Sequence, residues 1–197
     1  MSRYSYSDKS ASFLYRVLTL GIVVDVAAAL FVISAIFYLP YIPLWVRLLI
    51  SAIMIAIAVP TIWYFNRRRQ VVQAPLADKS LARAVIEVTP EALLLSSGAR
   101  AFSYPWDSIG SVCTNAEHYG GKMDALVAQK ALVLSPHPLD GKAPGAIRRA
   151  IATAALNSAW EPVEVGEMTV LPMRYLKGSW LDLVRDAKTA HAKAGRF

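Results

Sequence analysis

Residues 13–38 read FLYRVLTLGIVVDVAAALFVISAIFY, and residues 42–65 read IPLWVRLLISAIMIAIAVPTIWYF. The first run carries only Arg16 near its start and Asp25 near its middle, and the second only Arg47, with Pro60 close to its end. As a helix rising about 1.5 Å per residue, the first would extend about 39 Å, enough to cross a hydrocarbon layer of about 30 Å with tilt. The second is long enough as well. A 197-residue chain cannot bury two such runs in one soluble core, so an ordinary soluble protein is excluded. The connection Leu39-Pro40-Tyr41-Ile42-Pro43 leaves room only for a tight turn, which predicts an antiparallel transmembrane hairpin over residues 13–66. Aromatic residues stand where interface anchors belong: Phe13, Tyr15, Trp63 and Tyr64 at one end, Tyr38, Tyr41 and Trp45 at the other.

The distribution of charge says more than its total of +7. Residues 1–16 contribute +2, the hairpin none, residues 67–83 +4, and the remaining 114 residues only +1. The basic excess therefore flanks the hairpin. This argues against nucleic-acid binding, which needs a basic face on the folded domain itself. Basic flanks resist translocation, so the 1–12 tail and everything after residue 66 are expected on the cytoplasmic side. One cysteine, Cys113, can form no internal disulfide and fits that compartment. A cleaved signal peptide ending at Ala27-Ala28-Ala29 is disfavoured, because Asp25 interrupts its apolar core and the apolar run continues beyond Ala29. Met-Ser at the N-terminus also lacks the glycine that myristoylation requires.

Asp25 stands out, since an acid near a bilayer centre costs roughly 2.5–3.5 kcal/mol on insertion scales. Arg47 is a poor partner: it lies seven residues from Pro40 and Asp25 fifteen, a depth mismatch of about 12 Å. Gly21, Asp25 and Ala29 share a helix face, and Ala52 and Ala56 form a small-residue strip on the second helix. These five residues are the candidate intramembrane interaction surface, for another membrane protein or a second copy. The competing account keeps Asp25 protonated and bonded to a backbone carbonyl, Ser51 or Thr61.

Beyond a basic juxtamembrane segment, 67–83, in which residues 70–80 read as a linker containing Pro75, the periodicity changes. Short β-like runs at 84–88, 92–96, 100–105, 109–114, 130–134 and 168–173 predict an antiparallel sheet made of hairpins. Phe102, Tyr104 and Trp106 recur at every second position, which places them on one face of a strand. Residues 144–160 carry Ile147, Ile151, Ala154 and Ala155 at helical spacing, with Arg148 and Arg149 pointing away. A last helix opens at Ser179 with Asp182 three residues on, buries Trp180, Leu183, Val184 and Ala187, and ends near Gly195. The expected fold is a membrane hairpin followed by an α+β domain over residues 84–197, a curved antiparallel sheet or barrel plugged by its C-terminal helix.

Thr89-Pro90-Glu91-Ala92-Leu93, followed by a hairpin and Tyr104-Pro105-Trp106-Asp107-Ser108-Ile109, resembles the bacterial pleckstrin-homology-like domains. Val170-Leu171-Pro172-Met173-Arg174-Tyr175-Leu176, followed by a helix, resembles the closing motif of their YcxB-like subgroup, whose members commonly carry two membrane helices ahead of the domain. The resemblance implies a bacterial inner-membrane protein with a binding or scaffolding role and no catalysis, as an accessory or assembly subunit. Recognition of a polyphosphorylated headgroup needs several basic residues in the first hairpin, and here that hairpin is Thr89-Pro90-Glu91. Generic attraction to anionic lipid through Arg67, Arg68 and Arg69, joined by Arg100, Arg148 and Arg149, is the alternative, at roughly 1 kcal/mol per basic residue.

Chemistry of other kinds finds little support. His118, His137 and His191 lack metal-ligand spacing, so neither a metal nor a cofactor is expected. Gly120-Gly121-Lys122 departs from a phosphate-binding loop at Ala116 and Met123, and Cys113 falls in a predicted strand, where a small buried thiol is commoner than a nucleophile. No nucleophile, base and orienting group can be assembled into an active site.

Overall fold

A computed structural model describes residues 1–97, 100–114, 130–139 and 144–195. The two apolar runs form α1 (Asp8–Tyr38) and α2 (Leu44–Ala77), packed along each other. At 31 and 34 residues they measure about 46 and 51 Å, longer than the hydrocarbon layer. Both are long and apolar enough to cross a membrane, and their middles are solvent-facing: Val23, Leu30, Phe31, Leu48, Ile53 and Ile57 are all exposed. Apolar residues on helix faces that no described residue covers suit hydrocarbon rather than water.

The ends of the hairpin differ from the sequence expectation. Residues 1–12 are no free tail: Ser2–Ser5 form strand β1, and Ser7 caps α1 by accepting from the Ser10 amide. Nor do residues 70–80 form an extended linker. The second helix continues to Ala77 with Pro75 inside it, because Val72 in that stretch is fully buried against the domain, as is Leu81 in the short α3 (Ser80–Arg83) that follows. A proline in the last turn forfeits one helical hydrogen bond, and burial of these apolar side chains offsets it.

Seven further strands complete two four-stranded antiparallel sheets. The first has the order β1-β2-β3-β4, with β2 at Val85–Val88, β3 at Ala92–Ser97 and β4 at Arg100–Pro105. The second is ordered β5-β6-β8-β7, with β5 at Ser111–Thr114, β6 at Ala131–Ser135, β7 at Val163–Val165 and β8 at Met168–Pro172. The sequence reading missed β7, a three-residue edge strand turned onto β8 at Gly166, whose φ of +63° suits glycine. Helix α4 (Pro144–Asn157) covers the second sheet, laying Ile147, Ala150, Ile151 and Ala154 on Val133 and Val170. Helix α5 (Trp180–Ala194) buries Leu183, Val184 and Ala187 in the main core with Ile86, Leu95 and Leu171.

The pairing of β1 with β2 joins the two ends of the hairpin. Ser2 stands opposite Val88 and Ser5 opposite Val85, so the segment before α1 and the segment after α2 lie in one sheet. Tyr6 extends the joint, donating from its hydroxyl to the Pro172 carbonyl at 2.7 Å, while the Ser7 amide donates to the Tyr175 carbonyl at 2.7 Å. Both arms of the hairpin thus meet the domain on the same side.

The aromatic alternation is only partly a strand face. Phe102 and Tyr104 lie half-buried against the core, Phe102 edge-on to Trp160 with ring centroids 6.4 Å apart. Trp106 falls beyond the strand in a 3-10 turn, Trp106–Ser108, where its indole N–H donates to the Thr89 carbonyl at 2.9 Å. This aromatic row is internal packing.

Candidate functional site

The basic triplet Arg67-Arg68-Arg69 sits on α2 just past Trp63, where the helix reaches the domain. Successive helical residues turn by about 100°, so the three side chains take three directions. Arg67 is exposed and donates to Asn157 Oδ1 of α4 at 3.2 Å. Arg68 is buried, 4% exposed, with its guanidinium 5.9 Å from the centre of the Tyr64 ring. Arg69 is half-buried, with its guanidinium 5.9 Å from the centre of the Tyr15 ring on α1.

On the Arg67 side a cleft of about 570 Å³ opens between the end of α2 and the domain. Arg67, Arg83 and Arg100 line it together with Asp78 and Glu161. Arg100 is ion-paired with Glu161, and Arg83 donates to the Asp78 carbonyl at 3.1 Å. The Ser80 amide donates to the Asp78 carboxylate at 2.8 Å and holds it below the usual carboxylate range. Three basic side chains against two acidic ones leave a weakly basic cleft with most of its polar groups bonded to one another.

The Arg68 side is different. Arg174, in the connection from β8 to α5, is half-buried, and its pKa is lowered by burial and by the neighbouring Arg68 charge. Burial pushes the Tyr175 phenol up, against the opposing pull of the Arg68 guanidinium beside it and of Arg174. Neither arginine has an ion pair among the described residues, and Arg68 Nη1 is enclosed with no hydrogen-bond partner. Arg69 Nε and Asp8 Oδ1 are enclosed without partners too. Sequence reasoning marked Arg174 only as part of a closing motif. Its approach to Arg68, more than 100 residues earlier, has no local signature.

The predicted intramembrane surface is divided by the structure. A Cβ on Gly21 would lie 3.2 Å from the Phe65 ring, so Gly21 faces α2, and Asp25 and Ala29 follow on the same half-buried face. With Gly21 opposite Phe65, Asp25 comes level with Thr61, whose hydroxyl instead donates to the Ile57 carbonyl at 2.9 Å. Asp25 Oδ2 has no partner, and Ser51 lies about 15 Å from that level along the helix. Ala52 and Ala56 are exposed, apart from this face. Arg47 is occupied elsewhere, donating to the carbonyls of Ile42, Phe37 and Leu39 at 2.8, 3.1 and 2.7 Å.

Arg148 and Arg149 lie on the exposed side of α4 and line neither the cleft nor the buried arginine pair. Cys113 is buried in β5, and His191 reaches the Ile109 carbonyl at 2.6 Å beside Trp106. Among the described residues no three His, Cys, Asp or Glu side chains gather as a metal site. His118 and Gly120-Gly121-Lys122, with Ala116 and Met123, lie outside the described residues. Compared with known proteins, the chain matches no family model, no curated protein and no solved structure.

Proposed function

We propose that the chain is a non-enzymatic, membrane-anchored binding protein: a two-helix hairpin in a bacterial inner membrane, both termini cytoplasmic, carrying a pleckstrin-homology-like domain. Its work is to hold a protein partner, as an accessory or assembly subunit of a membrane complex. The observation that carries this reading is the pairing of β1 with β2 across the hairpin. A domain tied to a membrane anchor by a sheet register and two continuous helices presents its surface at a fixed height and angle. That suits a scaffold, whereas a domain that must reach distant ligands needs a flexible tether. The outer faces of α1 and α2, including Ala52 and Ala56, would meet the partner's helices through close packing. Purification of the tagged chain in mild detergent is expected to carry one membrane protein at constant stoichiometry, and Ala52→Leu with Ala56→Leu to release it. A chain that elutes alone would overturn the subunit reading.

A second reading, attraction to anionic lipid headgroups, is favoured by one observation: a nearly fully buried arginine, Arg68, with no ion pair among the described residues.

A further inference from the structure

The cleft beside the end of α2 has the size and the lining of a site for a small polar molecule. Its volume of about 570 Å³ falls within the range of about 300–1,000 Å³ usual for small-molecule sites. Guanidinium groups enter it from three elements: Arg67 from α2, Arg83 from α3 and Arg100 from the start of β4. All three are exposed, and the bonds they make hold them in place without exhausting them. A guanidinium carries five N–H donors, and among the described residues each of these engages one acceptor: Asn157 Oδ1 for Arg67, the Asp78 carbonyl for Arg83 and the Glu161 carboxylate for Arg100. Gln70 adds a side-chain amide to the same wall. With Asp78 and Glu161 as the acids of the lining, three positive charges against two negative ones leave a single positive charge to be met. A phosphodiester carries one negative charge and two free oxygens that forked donors can meet. A phosphomonoester, at about −1.5 to −2, brings more charge than the cleft can balance and sets it against two carboxylates.

We propose that this cleft binds one phosphodiester group, held by Arg67, Arg83 and Arg100. Arg67 follows Trp63, one of the aromatic residues at this end of the hairpin, by four residues, about 6 Å along the axis. The lining continues along α2 to Asp78, about 16 Å further. A glycerophospholipid headgroup rising from the bilayer and a water-soluble glycerophosphodiester entering from the far end present the same chemistry to the three arginines. The lipid source rests on the membrane-anchored reading, whereas the site itself needs no protein partner, so the proposal and the subunit reading fail separately.

The test is calorimetric titration of the full chain in a neutral detergent with three probes: phosphatidylglycerol, its deacylated headgroup glycerophosphoglycerol, and glycerol phosphate as the monoester. Saturable binding of phosphatidylglycerol at one molecule per chain is expected. Arg83→Gln and Arg100→Gln are each expected to weaken it by about tenfold or more, since each removes a charged donor. Arg148→Gln, on the exposed side of α4 and outside the cleft, is expected to leave it unchanged. Should Arg83→Gln not fold, Arg83→Lys keeps the charge and loses the fork, and a similar loss is expected. Binding of glycerophosphoglycerol as tight as that of phosphatidylglycerol, or tighter, would support the site with a water-soluble source, and binding of the lipid alone would support it with a membrane source. No saturable binding of either diester, or unchanged affinity in the folded Arg83 and Arg100 variants, would overturn the proposal. Tighter binding of glycerol phosphate than of both diesters would overturn the assignment to a singly charged ester.

Discussion

The two halves of this molecule place their apolar side chains oppositely. In the domain, Trp106, Leu93, Leu132 and Leu171 are almost wholly enclosed by other side chains. Along the hairpin the buried residues are Ala11, Leu18 and Ile36 of α1 and, where α2 reaches the domain, Arg68 and Val72, while Val23, Phe31, Ile53 and Ile57 face outward. The domain is held by its own core, whereas most apolar side chains of the hairpin are left uncovered by the described residues. The two ends of the hairpin contrast again. At the loop end, Arg47 closes the turn on three carbonyls of the connecting segment and the end of α1. Of these, the Phe37 carbonyl lies in the last turn of α1, where a helix leaves its acceptors unsatisfied. At the domain end, Arg68 is buried with its guanidinium 5.9 Å from the centre of the Tyr64 ring and has no ion pair among the described residues.

Breaking the domain core gives the largest expected effect. Trp106→Ala removes a fully enclosed ring and its hydrogen bond to Thr89, and is expected to destabilise the domain by about 3–5 kcal/mol. Leu30→Ala, on the exposed face of α1, is expected to change stability by less than about 0.5 kcal/mol. Thermal unfolding of both variants in the same detergent checks the contrast, and equal losses would mean that the two halves are not separately stabilised.

Arg47→Ala sharpens the comparison of the ends. It removes three donors to the turn, so amide exchange around residues 36–42 is expected to rise about tenfold, equivalent to about 1.4 kcal/mol, with the domain Tm unchanged. A fall in domain Tm would show that the loop end supports the domain.

The smallest effect concerns pH and separates the domain from the hairpin by its tyrosines. Tyr4 is pushed up to about 12 by burial and by its hydrogen bond to Asp186, at 2.7 Å. Tyr104 is pushed up to about 12 by burial with help from Glu164, and Tyr6 is raised by burial. Folded values above the unfolded one favour the protonated folded state. Their contribution is fully present below pH 10 and is lost as pH rises toward 12. The domain is therefore expected to lose stability over that interval, and Tyr4→Phe to flatten part of the loss while removing about 1 kcal/mol near neutrality. Circular dichroism melts from pH 8 to 12 on both chains provide the check.

Much of this was legible in the sequence. Uninterrupted apolar runs with aromatic ends announced the two helices, because length and hydropathy alone decide whether a segment can span. Turn residues between β-like runs announced antiparallel sheets, and the helical spacing of Ile147, Ile151 and Ala154 announced the covering helix. The Gly21, Asp25 and Ala29 face was also legible as a face. Which neighbour it meets was not, since spacing fixes what shares a side of a helix and is silent about what lies opposite.

Local pattern determined the elements: the spans, the tight turn, most strands and the last helix, each built from residues close in sequence. Tertiary structure alone decided three things. Ser2–Ser5 became a strand because β2, more than 80 residues later, offers it an open edge. Residues 70–77 stayed helical because the domain buries Val72. Arg174 came within electrostatic reach of Arg68 because the fold brings the connection after β8 to the start of α1, where the Ser7 amide bonds the Tyr175 carbonyl. Such contacts join positions far apart in the chain, and their free energy exists only once the intervening chain has folded.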